Sequence, residues 1–250
     1  MFYSIRMQMT FSLGQTAELR AIRDRLRRHF GVVKEEPRLD PVSRFVRSFL
    51  GSRNHDASSW AAFHRLRQRF ESWDEMADAP VAEIEAELHD VTFAEKKAPD
   101  LKRALEKIRV RAGALNLDFL GTLDVDAALV WLEQIHGVGR KIAASTLNFS
   151  TLRRRAFVAD SHIIRVLQRF GFVAKNATTE AVYDAVMLAA ADCDAGDLYQ
   201  LHWHLKRLGQ QVCTHQRAHC ALCPMSELCM QRINVQSVRG TGVRQPSLAL

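Results

Sequence analysis

Long apolar runs are missing from this 250-residue chain. No stretch approaches the roughly 20 consecutive apolar residues a membrane-spanning helix requires. The opening MFYSIRMQMTFSLG lacks the charged-then-apolar order of a secretory leader, so a cytoplasmic protein with no membrane partner is expected. Strict apolar/polar alternation is missing too, which removes the sequence basis for a sheet. Ala156-Phe157-Val158-Ala159 is the single candidate for a short extended piece. There is no internal repeat. Residues 71–90 hold eight Asp or Glu and no Lys or Arg, although the whole chain carries a formal charge of +7. The remainder is therefore more basic than the total suggests, and nucleic acid is the commonest partner of such a surface. By itself 71–90 reads as a solvated acidic helix; beside the basic remainder it marks a face that repels phosphate.

What the chain does have is helical periodicity. Leu19, Ile22, Leu26 and Phe30 make an apolar stripe on an Arg-rich helix. Asp40-Pro41 is a cap with proline in the first turn, followed by Val42, Phe45, Val46, Phe49 and Leu50, and Gly51 ends that helix. Trp60, Phe63, Leu66 and Phe70 keep the spacing, as do Val81, Ile84 and Leu88, then Leu101, Leu105 and Ile108, then Leu129, Leu132 and Ile135. Further helices are expected over 161–170, 179–191 and 197–211. The fold class is all-α. Residues 232–250 mix Gly, Ser, Gln and Arg without periodicity and read as a mobile tail.

Of the five cysteines, Cys193 stands apart and reads as a small buried hydrophobe. The other four, Cys213, Cys220, Cys223 and Cys229, fall as C-x6-C-x2-C-x5-C. Four thiolates this close can surround one soft metal centre. A zinc ribbon uses two tight C-x2-C pairs and only Cys220/Cys223 forms one, whereas a cubane iron–sulfur cluster tolerates longer loops. The spacing thus favours a cluster over zinc, and zinc over two disulfides.

Residues 132–143 place an amphipathic helix, the turn Gly137-Val138-Gly139 and a second helix in immediate succession. Glycines permit positive φ and leave the following amides unobstructed, and amides at a helix N-terminus form a phosphate site. A dinucleotide-binding loop is the rival, but no strand precedes it and Ile142 stands where the third glycine belongs; a plain packing turn is the other. Lys141 follows Arg140 in the first turn of the second helix. The helix dipole and the neighbouring cation both disfavour an ammonium there, so Lys141 can serve as a nucleophile; the simpler role is pairing with phosphate. Asp160 reads as the N-cap of 161–170, and a cap carboxylate facing a cationic reaction centre can also stabilise positive charge.

Taken together, the hairpin 132–143, the segment Val158-Ala159-Asp160-Ser161-His162 and the four spaced cysteines resemble the endonuclease III branch of the helix-hairpin-helix (HhH-GPD) DNA glycosylases, in the family's order and over most of residues 15–230. The resemblance implies two helical domains: a six-helix barrel over 37–154 containing the hairpin, and a domain formed by 1–36 with 155–231 that carries a [4Fe-4S] cluster in the loop 213–229. It implies DNA binding in the cleft between them. By the same resemblance Lys141 is the Schiff-base lysine and Asp160 the catalytic aspartate. Cys213, Cys220, Cys223 and Cys229 are the cluster ligands, and Gly137, Val138, Gly139, Arg140 and Arg217 contact DNA. Adenine glycosylases lack a lysine at that position and do not cut the strand, so Lys141 implies a bifunctional glycosylase/lyase.

Departures from the family concern the loops. His136 replaces a proline and Ile142 a small hydroxyl residue. Gly51-Ser52-Arg53-Asn54-His55-Asp56 stands where relatives carry a Ser-Ala-Gln-Ala-Thr-Asp-like loop, which puts Arg53 in place of the glutamine that fills the flipped base's space. Phe93 stands where an apolar wedge is expected, with core packing as its alternative role. The expected function is base excision repair: removal of oxidised pyrimidines and cleavage at abasic sites in double-stranded DNA, by a monomer associated with the nucleoid. Two alternatives are a uracil or thymine mismatch glycosylase of the same fold, and a non-catalytic DNA-binding module.

Overall fold

The computed structural model describes residues 2–35 and 37–231, with side chains from residue 14 onward. The expected mobile tail, 232–250, lies outside the described residues. Among these the helices are α1 (Phe2–Phe30), α2 (Pro41–Leu50), α3 (Asp56–Arg69), α4 (Trp73–Asp78), α5 (Val81–Glu87), α6 (Ala94–Ala112), α7 (Val125–Glu133), α8 (Arg140–Phe149), α9 (Ser161–Phe170), α10 (Thr179–Ala189) and α11 (Ala195–Gln211). Short 3-10 turns occupy Asp118–Gly121 and Cys220–Leu222. No strand occurs among the described residues; 156–159 is buried but has no ladder partner. None of the described helices is long and apolar enough to cross a membrane.

The chain packs as two compact units. One comprises 34–158 together with 193–199. Its centre is α2 against α8. Asp40 starts α2 by accepting the Ser43 amide at 2.9 Å, with Pro41 in the first position, where its missing N–H costs nothing. Phe45, Val46 and Leu50 are then fully buried, each contributing about 1.5–3 kcal/mol. Two buried polar pairs lie within this packing: Ser48 Oγ lies 2.8 Å from Ser145 Oγ across to α8, and Trp73 Nε1 donates to Ser43 Oγ at 2.9 Å. The family resemblance implies that 155–231 belong to one domain, whereas 193–199 pack here. Asn148 Nδ2 donates to the Ala195 carbonyl (3.0 Å), Arg155 to the Cys193 carbonyl (2.8 Å), and the Tyr199 ring meets Phe149 edge-on. Cys193 is buried, in keeping with its reading as a small hydrophobe.

The acidic stretch departs from a single solvated helix. Pro80 divides it into α4 and α5, and arginines of α3 and α6 reach its carboxylates. Arg109 grips Asp78 through both terminal nitrogens and stands 3.7 Å from Asp74, Arg69 pairs with Glu83, and Arg65 pairs with Asp90. The expected phosphate-repelling face is thus partly neutralised within the unit.

The second unit comprises the residues up to 33, 159–192, and 200 onward. Leu19, Ile22 and Leu26 bury the predicted stripe of α1, which packs on α10. Gln200 exchanges two hydrogen bonds with the backbone of Val33, each 2.8 Å. α9 runs from the Asp160 cap to Gly171, whose φ of +100° stops the helix in the left-handed region.

Candidate active site and cysteine centre

The hairpin is formed by α7, a tight turn and α8. Gly137 has φ +80°, and a Cβ there would sit 3.3 Å from the Phe49 ring, so backbone conformation and close approach both call for glycine. Gly139 differs from the expectation of positive φ: it is extended (φ −102°, ψ 179°), and a Cβ there would meet nothing within 4 Å. Val138 is buried, so its side chain anchors the turn. The first intrahelical bonds of α8 run from Ile142 and Ala143 to the Gly139 carbonyl, and the positive end of the helix dipole lies at the turn. Arg140 forms a bidentate ion pair with Glu133 of α7, which clamps the two helices of the hairpin.

Lys141, in the first turn of α8, directs Nζ to within 3.5 Å of the Gly51 carbonyl at the end of α2. Sequence reasoning missed its neighbour. Lys97 of α6 is buried and donates to the carbonyls of Leu50 (3.2 Å) and Ser52 (2.7 Å), flanking Gly51. Burial, and then the charge of Lys141, push the Lys97 ammonium down to about 8. The available signal was spacing: Lys97 falls four residues before Leu101 on the buried stripe of α6.

The two expected DNA-facing loops lie together, Thr92 Oγ1 reaching Asn54 Oδ1 at 3.4 Å. Arg53 (φ 54°) and Phe93 (φ 62°) both adopt the left-handed conformation that non-glycine residues avoid. Phe93 is 47% exposed, which excludes core packing, and Arg53 is exposed as well.

Asp160 caps α9, accepting the amides of His162 (2.9 Å) and Ile163 (3.0 Å). Burial pushes its carboxyl up, but the charge of His202, the Ile163 amide, Lys206 and His162 outweigh that and hold it below the usual range. His202 and Lys206 are buried polar residues of α11 that sequence reasoning passed over. Close packing of α11 on α9 depends on Gly209, where a Cβ would lie 2.9 Å from His162 Cβ.

Cys213, Cys220, Cys223 and Cys229 line one pocket. Burial raises the Cys223 thiol, and the other three cysteines raise it further by their proximity. Arg169 Nη1 stands 3.5 Å from Cys213 Sγ and donates to the Thr214 carbonyl at 2.6 Å, while Arg165 binds the Cys213 carbonyl at 3.1 Å. The donor set suits a soft, anionic centre beside two guanidiniums. Among the described residues no three ligands converge as a single ion would require. Arg217 is exposed on the loop between the first two cysteines, its amide held by Thr214 Oγ1.

A family model, the HhH-GPD superfamily base excision DNA repair protein, matches residues 46–190, more than half the chain. The chain belongs to the HhH-GPD superfamily. Endonuclease III homolog 2, chloroplastic, of Arabidopsis thaliana is 26% identical over 191 residues, covering 74% of this chain and 46% of that protein. Endonuclease III-like protein 1 of Gallus gallus is 27% identical over 184 residues, covering 72% of this chain and 60% of that one. The chain therefore spans less than two thirds of these curated relatives' length. Among solved structures, a trapped endonuclease III–DNA covalent intermediate superposes with a TM-score of 0.72 at 19% identity, covering 88% of this chain and 98% of that one. This HhH-GPD chain thus shares the all-helical fold of endonuclease III, and its family is one of base excision DNA repair proteins.

Proposed function

We propose that the chain is a bifunctional DNA glycosylase and abasic-site lyase acting on oxidised pyrimidines in double-stranded DNA. The observation that carries this reading is an amine, Lys141 Nζ, in the first turn of the hairpin's second helix. A target nucleotide must leave the base stack before its C1′ can be reached. The hairpin amides would hold the backbone, with Arg53 and Phe93 occupying the vacated space. Nζ attacks C1′ as the C1′–N bond breaks, the base leaving with the electron pair and taking up a proton. Loss of the Nζ proton and opening of the sugar ring give an imine. Removal of a C2′ proton then expels the 3′ oxygen with its phosphate, and water releases the unsaturated aldehyde. Asp160 would stabilise the positive charge that develops along this path.

The four cysteines would hold a [4Fe-4S] cluster, which when bound pins the loop 213–229 and so presents Arg217 to phosphate. Anaerobically purified protein should contain about four irons per chain and absorb broadly in the visible. Stoichiometric zinc without iron would refute that assignment.

The lyase is tested by cyanoborohydride reduction on an abasic duplex. A covalent protein–DNA adduct is expected, and its absence would leave a monofunctional glycosylase. A panel of duplexes carrying oxidised pyrimidines, uracil or mismatched thymine tests the substrate: preference for the last two would overturn the oxidised-pyrimidine reading.

A further inference from the structure

Both ends of the cysteine loop are held by the end of α9. At the entry, one guanidinium spans three consecutive residues: Arg169 Nη1 donates to Cys213 Sγ (3.5 Å) and to the Thr214 carbonyl (2.6 Å), and Nη2 donates to the His215 carbonyl (3.1 Å). At the exit, Cys229 Sγ donates to the Arg169 carbonyl at 3.5 Å. Met230 then lies over Gly171, where a Cβ would come within 2.6 Å of its Cγ. The first and last cysteines of the set therefore meet the same residue.

The other cations around the loop are directed elsewhere. Arg165, one turn earlier on α9, donates to the backbone carbonyls of Cys213 (3.1 Å) and Gly209 (2.7 Å). Arg25 of α1 pairs with Glu227 and reaches the Pro224 carbonyl. Among the described residues, Arg169 is the one whose charged donor is set against a sulfur of the four. A thiolate that accepts an N–H gives less electron density to its metal, and a guanidinium beside an anionic cluster favours the reduced, more negative form. Both effects raise the reduction potential. The same contact holds the ligand sulfur against release.

We propose that Arg169 is a positioning residue for the cysteine centre, acting through Cys213: it fixes the first turn of the loop, and its charge at the Cys213 sulfur raises the reduction potential of the cluster and slows iron loss. The inference rests on the four cysteines holding a [4Fe-4S] cluster.

The test uses anaerobically purified holoprotein as the native chain, Arg169→Met, Arg169→Lys and Thr214→Val. Thr214 Oγ1 donates to the Arg217 carbonyl and accepts its amide, so Thr214→Val loosens the same turn without touching a sulfur. Reduction potential is read by voltammetry, and iron release by absorbance of a ferrous chelator. Arg169→Met should lower the potential and release iron about tenfold faster or more. Arg169→Lys restores the charge and should stay near the native potential, as should Thr214→Val. A native potential in Arg169→Met overturns the proposal. So does an equal fall in Arg169→Lys or in Thr214→Val, which would make loop geometry the cause. Should Arg169→Met fail to hold iron, Arg169→Gln, with a donor but no charge, carries the same comparison against Arg169→Lys. Failure of the underlying reading looks different: the native chain itself would hold zinc, with no visible absorption and no potential to measure, and the proposal would fall with it.

Discussion

Lys141→Gln should eliminate borohydride trapping and lower strand incision by at least about 10³-fold, with folding and binding to duplex DNA retained. Glutamine keeps similar length and a donor for the Gly51 carbonyl, so the contact at the end of α2 survives. What it lacks is an amine that can become an imine. The comparison to make is single-turnover incision of an abasic duplex, alongside affinity for the same DNA and the thermal midpoint. Persistent trapping would identify another amine, with Lys97 the first to examine because burial holds it near neutrality at about pH 8.

Asp160→Asn should cost about 10²-fold or more in incision, since charge stabilisation goes while a cap acceptor remains. Asparagine can still accept the His162 and Ile163 amides. Unlike a surface cap, however, this carboxylate faces His202 and Lys206, both buried. Removing its charge takes a favourable partner from both, and a loss of about 2 kcal/mol in stability at neutral pH is expected. The sign with pH follows from the direction of the shift. A carboxyl held low in the folded chain stabilises it above the unfolded value, and that stability is lost as pH falls through the folded value. The two proteins should therefore differ fully at pH 7 and converge only at pH values below the ordinary carboxylate range, where the native carboxyl is at last protonated. Denaturant melts at neutral and low pH check this, and an undiminished gap at low pH would show that the charge is not the cause.

Local signals carried most of the sequence reading. The caps at Asp40 and Asp160, the stripes of α1 and α2 and the limits of α9 depend on neighbours a few residues away, and each appears where the spacing places it. Lys97 was legible only as a position on the buried stripe of α6, four residues before Leu101; that it folds against a carbonyl 45 residues away, and that His202 and Lys206 are buried, depends on distant partners that spacing does not reveal. The pairing of the acidic stretch was hidden for the same reason: Arg65, Arg69 and Arg109 reach it from other helices. Gly139 shows the opposite error, a glycine read as a conformational need where the backbone is extended.

Arg53 and Phe93 have a thermodynamic consequence beyond their exposure. Left-handed backbone costs a residue with a Cβ roughly 1–2 kcal/mol that glycine would not incur. Both loops hold the costly conformation before any DNA arrives. On the proposed function, strain already present in the free chain need not be generated during base extrusion, and less of the binding energy would be diverted into reshaping these loops. Under that proposal stability and recognition are opposed at these two positions: a glycine there would relax the fold and forfeit the side chain that the strain displays.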